Sequence, residues 1–406
     1  MSIRSFLIFL LIAGNLFAQG KQISLAITDL PELLVKTSPQ QSLINARQAI
    51  IKAQGDEALQ WSNPEFSYDQ EYVENNGNKE TEKLAYVSKT FSLPWNYWQR
   101  RSIWRANLEA AKLNMEQDSK QLLASVRTGY IKVGLLKKLS EQQINLKEVF
   151  KNLKQAAHSQ SEEGAISKME ARLLAMSIFG LEGDLLLTQK ENSLALSSLK
   201  QILGFDSSDD IILSTSIPFL KIDTDIFEET ELTKNHPGLK AAQLRLSALE
   251  QRITLEKSRI LPSITLHGGY KKIDPGWKGY TFGLSIPLPL LNWNGPQIEK
   301  QKIVHHMQMT ENALYSQKIR SQIVNLVETV KRQAELLQEY GNEQSNNTLV
   351  EDILAAYKEG TMSLAEFLNA IQIYREGSKQ YTEQLTEYYQ AVFELEALYG
   401  QQLVTF

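Results

Sequence analysis

The chain has 406 residues and a formal net charge of −4, and 42% of its residues are hydrophobic. This balance excludes a strongly basic nucleic-acid-binding protein. The absence of cysteine excludes disulfides, thiolate metal sites and cysteine nucleophiles, and 5 histidines leave little material for a His-rich metal centre.

Residues 1–18 have the composition of a secretory signal peptide. Arg4 precedes an unbroken apolar run at 6–12, and small residues follow, with Ala18 as the predicted cleavage site. The run is far shorter than the roughly 20 residues that span a bilayer as a helix. We therefore predict export, with a mature chain that starts at residue 19 and has no transmembrane helix.

An internal duplication organises the rest of the chain. The segment 163–167 (EGAIS) recurs 196 residues later at 359–363 (EGTMS), and the Leu-Gly at 203–204 corresponds to the Tyr-Gly at 399–400. A similar match links 63–66 with 261–264. Self-similarity at nearly one offset predicts two structural repeats. We place these at 19–204 and 236–406, joined by a segment at 205–235.

Proline placement predicts long helices in both repeats. No proline occurs at 95–217 or 297–406, and an interior proline costs a helix about 3 kcal/mol. Apolar residues at 371–399 step by three and four, which predicts coiled-coil packing and a core role for the tyrosines among them. The predicted helices are 41–60, 95–162, 167–203, 237–261, 297–358 and 363–399.

Four segments alternate between apolar and polar residues, at 66–72, 84–93, 264–270 and 280–288. Such alternation is typical of transmembrane barrel strands, and equally of a half-buried soluble sheet. Tryptophans at or near the strand ends favour the membrane, because lipid interfaces are enriched in this residue. The predicted interfacial aromatics are Trp95, Trp98, Trp277 and Trp293, and the polar strand positions are Asp69, Glu71, Thr265 and His267.

Four strands cannot close a barrel, since the smallest single-chain barrels have about eight, and open edges are not tolerated in lipid. The chain is therefore predicted to oligomerise. The fold class is mainly α with a small β part: a long antiparallel α-helical coiled-coil barrel plus four transmembrane strands per chain, internally duplicated. Three chains would supply a 12-stranded barrel.

The order and spacing of these motifs resemble a TolC-type outer-membrane efflux protein across nearly the whole mature chain. The resemblance rests on the openings at Pro64 and Pro262, the paired Glu-Gly-x-x-Ser loops and the segment 235–239 (NHPGL). It implies a homotrimer with a periplasmic helical tunnel and an equatorial belt formed by the joint and the chain ends. It also implies a periplasmic adaptor, an inner-membrane pump of the RND type and outer-membrane lipid as partners.

The same resemblance implies where function lies. The adaptor would contact the helix-hairpin tips, which we assign to Gly164, Ser167, Gly360 and Ser363. The polar strand positions would line the barrel lumen and give it an acidic character suited to cations. Residues 63–74 and 88–93 resemble the subgroup from cobalt–zinc–cadmium efflux systems, although Pro94-Trp95 departs from the subgroup's Gly-rich basic pattern. The cargo stays open between metal cations, drugs and a secreted protein.

No enzyme motif is present: the chain has no P-loop, no Gly-x-Ser-x-Gly and no His-Glu-x-x-His. We therefore predict a protein that is not an enzyme and needs no cofactor or metal. His305 and His306 are adjacent, so they point about 100° apart on a helix and cannot easily share one ion. An exported structural coiled-coil protein is the alternative, but it would leave the alternating strands unexplained.

Overall fold

The computed structural model describes residues 21–75, 78–92, 94–162, 167–223, 236–260, 263–274, 276–344 and 349–406. The predicted signal peptide, Gly164 and residues 224–235 of the predicted joint lie outside these residues.

The described chain is mainly helical with a small β part, which confirms the predicted fold class. The helices are α1 (Leu30–Thr37), α2 (Pro39–Leu59), α3 (Pro94–Glu162), α4 (Lys168–Leu203), α5 (Pro237–Ser258), α6 (Gly295–Gln344), α7 (Leu349–Lys358) and α8 (Leu364–Tyr399). The strands are β1 (Gln22–Leu25), β2 (Glu65–Asn75), β3 (Asn78–Phe91), β4 (Asp210–Leu213), β5 (Ile264–Ile273) and β6 (Trp277–Ser285).

The long helices agree with the proline argument. Helix α3 has 69 residues, and the return helices α4 and α8 have 36 each. The span predicted as one helix at 297–358 is described as two, α6 and α7, on either side of residues 345–348, which are outside the described part. Among the described helices, none combines the length and the apolar character needed to cross a membrane.

Strands β2, β3, β5 and β6 form one antiparallel sheet in that order. Several predicted strand limits were wrong, and two of the differences have a clear physical reason. Strand β3 begins at Asn78 rather than residue 84, because backbone pairing with β2 continues through polar residues as far as the Asn75–Asn78 pair. Strand β6 ends at Ser285 rather than residue 288, because Pro287 and Pro289 have no N–H to donate.

The chain divides into two compact units. The first contains Met1–Ile44, Gln117–His236 and Ile319–Phe406; the second contains Asn45–Glu116 and Pro237–Lys318. In the first unit the predicted apolar stripe of α8 is core, with Ile371, Leu385 and Tyr388 no more than 1% exposed. In the second unit, Ile103 of α3 packs with Ala248 and Leu255 of α5.

A small parallel sheet in the first unit was missed in part by the sequence reasoning. Strand β4 lies within the predicted joint, and its partner β1 was not predicted. Nearby, the hydroxyl of Tyr130 donates to the carbonyl of Leu25 at 2.9 Å and accepts the N–H of Thr215 at 3.1 Å. One tyrosine thus ties β1 to the chain that follows β4.

Two further tyrosines hold the segment after β4 against α8. The hydroxyl of Tyr388 donates to the Leu220 carbonyl at 2.8 Å and accepts the N–H of Ile222 at 3.2 Å. Tyr389 accepts the N–H of Leu220 at 3.1 Å and donates to the carbonyl of Pro218. Burial raises the pKa of Tyr388 to about 12, and the Ile222 N–H opposes this shift. Among the described residues the segment 218–222 belongs to no strand, and these hydroxyl groups provide hydrogen-bond partners for its backbone.

Tyr388→Phe is therefore expected to lower the free energy of unfolding by about 1–3 kcal/mol, because two backbone groups lose their partner. The matched control is Tyr374→Phe on the same helix, whose hydroxyl has no hydrogen bond among the described residues. Thermal unfolding followed by circular dichroism compares the two. Equal midpoints for both variants would contradict the assignment.

Candidate channel faces and helix tips

The register of the four-stranded sheet collects apolar side chains on one surface, here called the aromatic face. Directly paired residues share a face, and Phe66 pairs with Val87, Val87 with Gly268 and Gly268 with Phe282. Phe282 is 83% exposed. Lys89 is a charged residue on this face, near the end of the sheet where β3 leads into α3. The large exposed apolar members are Phe66, Tyr68, Tyr72, Val87, Phe91, Leu266, Tyr270, Tyr280, Phe282 and Leu284.

The opposite surface, the polar face, carries all four predicted lumen residues. Register places Asp69 and Glu71 of β2 on the same side as Thr265 and His267 of β5. The hydroxyls of Thr90 and Thr265 are 2.9 Å apart, and the His267 ring packs edge-on against Tyr86 at 5.9 Å. Opposite His267 stands Gly283, where a Cβ atom would come within 2.1 Å of Nε2. Because glycine has no Cβ atom, position 283 leaves space for the His267 imidazole.

Further charges on the polar face make it acidic. Sequence reasoning missed Glu65, Glu80 and Glu82, which share this face with Asp69 and Glu71 by register. Lys271 is the opposing cation, and it forms an ion pair with Glu82. The missed residues lie just outside the predicted strands 66–72 and 84–93, and the longer strands of the structure include them.

The interfacial tryptophans are placed differently from one another. Trp98 and Trp293 are exposed, as the prediction requires, and Arg101 lies over the Trp98 ring at 5.8 Å. Trp277 is also exposed, but its register with Ile273 aligns it with the polar face. The side chain of Trp95 is outside the described part of the chain.

The two return helices begin with the same capping box. The Ser167 hydroxyl accepts the N–H of Glu170 at 3.2 Å, and the Glu170 carboxylate accepts the N–H of Ser167 at 2.8 Å. At Ser363 and Glu366 the corresponding distances are 3.3 and 2.8 Å. These hydrogen bonds lower the pKa of both glutamates. The predicted contact serines therefore use their hydroxyls to start helices.

The tip before α8 has a left-handed turn. Gly360 has φ of 75°, a conformation that favours glycine, and its N–H donates to the Tyr357 carbonyl at 3.1 Å. The fully buried Phe367 anchors this tip, since its ring lies 4.9 Å from Tyr357 and 5.8 Å from Phe150. Gly360 and Ser363 thus lie on one ordered turn, whereas Gly164 is outside the described residues.

Helix α4 also carries an exposed apolar stripe, which the sequence reasoning did not single out. Its members are 47–68% exposed, and they recur at spacings of three, four, seven or eleven residues, so they share one side of the helix. Gly180 and Gly183 fall on the same side. The stripe consists of Met169, Leu173, Met176, Leu187 and Leu194.

The histidines do not form a metal centre in the described part of the chain. The Nε2 atom of His305 lies 3.5 Å from the Glu250 carboxylate, whereas His306 is exposed. Among the described residues, no group of three or more His, Asp or Glu side chains could hold a metal ion.

His236, from the segment 235–239 on which the sequence resemblance partly rests, is fully buried. Burial lowers its pKa, and Lys120 lowers it further. Below about pH 6.5, His236 binds a proton in the unfolded chain but stays neutral in the folded chain. The free energy of unfolding is therefore expected to fall as the pH drops from 6.5 towards the lowered pKa. Chemical denaturation at pH 7.5 and at pH 5.5 measures this effect. The difference in the free energy of unfolding between the two pH values should be smaller for His236→Gln than for wild type. An identical pH dependence in both would contradict this.

Comparison with known proteins agrees with the family resemblance found in the sequence. Residues 230–401 match the family model described as outer membrane efflux protein. None of the curated proteins matches this chain. Among solved structures, CusC superposes with a TM-score of 0.76 at 14% identity, covering 92% of this chain and 91% of that chain.

Two solved channels from named bacteria are equally similar. The CmeC outer membrane channel of Campylobacter jejuni has a TM-score of 0.75 at 15% identity, covering 92% of this chain and 85% of its own. The open state of the MtrE outer membrane channel of Neisseria gonorrhoeae gives 0.75 at 13% identity, with coverages of 93% and 89%. The described chain therefore has the fold of these channels, and residues 230–401 match the outer membrane efflux protein family model, in agreement with the resemblance found in the sequence.

Proposed function

We propose that this protein is the outer-membrane exit duct of a tripartite efflux system. It passes substrates from an inner-membrane pump and a periplasmic adaptor to the outside of the cell. It is a channel and not an enzyme. The observation that carries the proposal is the sheet with an exposed aromatic face and an acidic polar face, on a chain with the fold of solved outer-membrane channels. A structural coiled-coil role does not account for that sheet.

Closure requires further copies of the chain. Strands β2 and β6 lie at the two edges of the four-stranded sheet, and each pairs with one neighbour within the described residues. Unpaired edges are not tolerated in lipid, so β6 of one copy would pair with β2 of the next. The exposed stripe of α4 supports the same conclusion, because an apolar heptad stripe needs a helical partner. A homotrimer satisfies both requirements with twelve strands.

The channel itself is tested by reconstitution. Purified protein in a planar bilayer is expected to produce discrete conductance steps, and its heat-modifiable oligomer is expected in the outer-membrane fraction. Fractionation into the periplasm without conductance would reject the proposal. The acidic polar face predicts a preference for cations, which the reversal potential in a salt gradient measures.

The adaptor is proposed to contact the tips that include Gly360 and Ser363, together with Gly164 and Ser167. Gly360→Val is expected to impair efflux and adaptor cross-linking, because a side chain at φ of 75° costs about 1–2 kcal/mol and would shift the turn. Gly295→Val is the control, since a Cβ there meets no atom within 4 Å and its φ is not left-handed. Intact efflux and cross-linking in a variant with valine at both Gly164 and Gly360 would overturn this assignment.

The cargo is proposed to include metal cations handled by an RND-type pump, on the basis of the acidic polar face and the subgroup resemblance. Deleting the gene and testing growth on cobalt, zinc, cadmium and copper salts, beside detergents, dyes and antibiotics, checks this. Sensitivity confined to metals would support the proposal. Sensitivity to organic compounds alone would replace it with drug efflux, and an unchanged strain would point to redundancy or protein secretion.

A further inference from the structure

Three lysines form one row across neighbouring strands of the aromatic face. Lys83 of β3 pairs with Lys272 of β5, which in turn pairs with Lys278 of β6. Gln70 of β2 continues the row. Because directly paired residues point to the same side of a sheet, the three ammonium groups emerge together.

The row lies next to the aromatic part of the face. Two residues away along each strand, Ala85 pairs with Tyr270 and Tyr270 with Tyr280. The lysines stand on the hairpin side of these tyrosines. A lysine on a lipid-facing strand costs about 2–4 kcal/mol at the bilayer centre but at most about 1 kcal/mol near the interface. The row therefore marks the level at which the aromatic face meets the headgroups.

Like charges directly opposite one another destabilise a sheet, so the row calls for counter-charges. Lys272 has one in Asp274, at 3.0 Å. Among the described residues, Lys83 and Lys278 have no carboxylate within ion-pair distance. The other acid on this face is Glu74, beyond Tyr72 towards the hairpin. The acids at the level of the row, such as Glu71 and Glu82, lie on the polar face instead.

We propose that this row binds the phosphate groups of an anionic lipid in the outer leaflet, an inference that rests on the proposed function. Lysine ammonium groups bind phosphate as point charges. Neighbouring strands are about 4.8 Å apart, so the three lysines cover roughly 10 Å along the barrel wall. That span suits a lipid headgroup that carries two phosphates better than one that carries a single, internally neutralised phosphate.

Binding of bis-phosphorylated lipid A to the purified oligomer tests the proposal. The variant Lys83→Gln/Lys272→Gln/Lys278→Gln is compared with Lys300→Gln/Lys302→Gln/Lys318→Gln, which removes the same charge from exposed positions of α6. The row variant is expected to bind lipid A at least tenfold more weakly, since each lysine near an anionic membrane surface contributes about fivefold. The α6 variant is expected to match wild type, and dephosphorylated lipid A to bind weakly to all three.

Several results would overturn the inference. Unchanged affinity in the row variant, an equal loss in the α6 variant, or equal wild-type affinity for dephosphorylated lipid would each do so. Displacement of lipid A by millimolar inorganic phosphate would show a site for free phosphate rather than for lipid. Conductance separates the two proposals: a wild type without conductance rejects the channel, whereas conducting oligomers that all bind lipid A alike reject only the lipid site.

Discussion

Phe282→Arg is expected to prevent assembly of the channel, whereas Thr281→Arg, one residue earlier on β6, is expected to leave assembly intact. Phe282 lies in the middle of the aromatic face, and Thr281 lies on the polar face. An arginine at the bilayer midplane destabilises a barrel strand by about 2–4 kcal/mol, and this destabilisation applies to each chain of an oligomer. An arginine on the polar face would remain in water.

Outer-membrane fractionation and heat-modifiable migration measure the assembly of both variants. Thr281→Arg should also shift the reversal potential towards anions, because it adds a positive charge to the same face as the acidic residues. If Phe282→Arg assembled like wild type and Thr281→Arg did not, the assignment of the two faces would be reversed. That outcome would also remove the basis for the lysine row as a lipid site.

Alternation along single strands was sufficient to predict the faces of the sheet. The period of side-chain direction in a strand is two, so Asp69 and Glu71 could be assigned to one side from the sequence alone. Their alignment with Thr265 and His267 depends on register, which is a property of paired strands. The space that Gly283 leaves for His267 is visible only once that register is known.

Local pattern could not reveal the contacts that join distant parts of the first unit. Strands β1 and β4 have 4 residues each, too few for a clear period, and they pair across more than 180 residues of chain. Tyr388 was correctly predicted to be a packed side chain, whereas Tyr389, which is also buried, lies outside the predicted stripe. Their second role, as hydrogen-bond partners of 218–222, has no signature in the spacing.

Heptad spacing likewise could not distinguish apolar stripes that are buried within one chain from apolar stripes that stay exposed in a single chain. The stripe of α8 containing Ile371 and Leu385 is buried in the chain itself. The stripe of α4 containing Met176 and Leu187 has compatible spacing but is exposed. The two differ in what surrounds them in three dimensions, and sequence period describes only one helix at a time.

The ion pair between Arg127 of α3 and Glu396 of α8 is expected to carry the largest stability effect in the first unit. Both side chains are about 10% exposed. The remaining carboxylate oxygen accepts the N–H groups of Leu403 at 2.6 Å and Val404 at 3.0 Å, and the guanidinium lies over the Phe393 ring at 4.5 Å. Burial lowers the pKa of Arg127, and the Glu396 carboxylate opposes that shift.

Glu396→Gln is accordingly expected to lower the free energy of unfolding by about 3–5 kcal/mol, because it leaves a buried guanidinium without its counter-charge. Glu328→Gln, which breaks the exposed pair with Arg332 on α6, should cost no more than about 1 kcal/mol. Adding Arg127→Met to Glu396→Gln should recover part of the loss, since the uncompensated charge is then gone. Hydrogen exchange at the amides of Leu403 and Val404 should accelerate in Glu396→Gln and not in Glu328→Gln. Equal losses in the two glutamine variants would mean that the buried pair contributes no more than a surface pair, and that the segment after α8 is held by apolar packing alone.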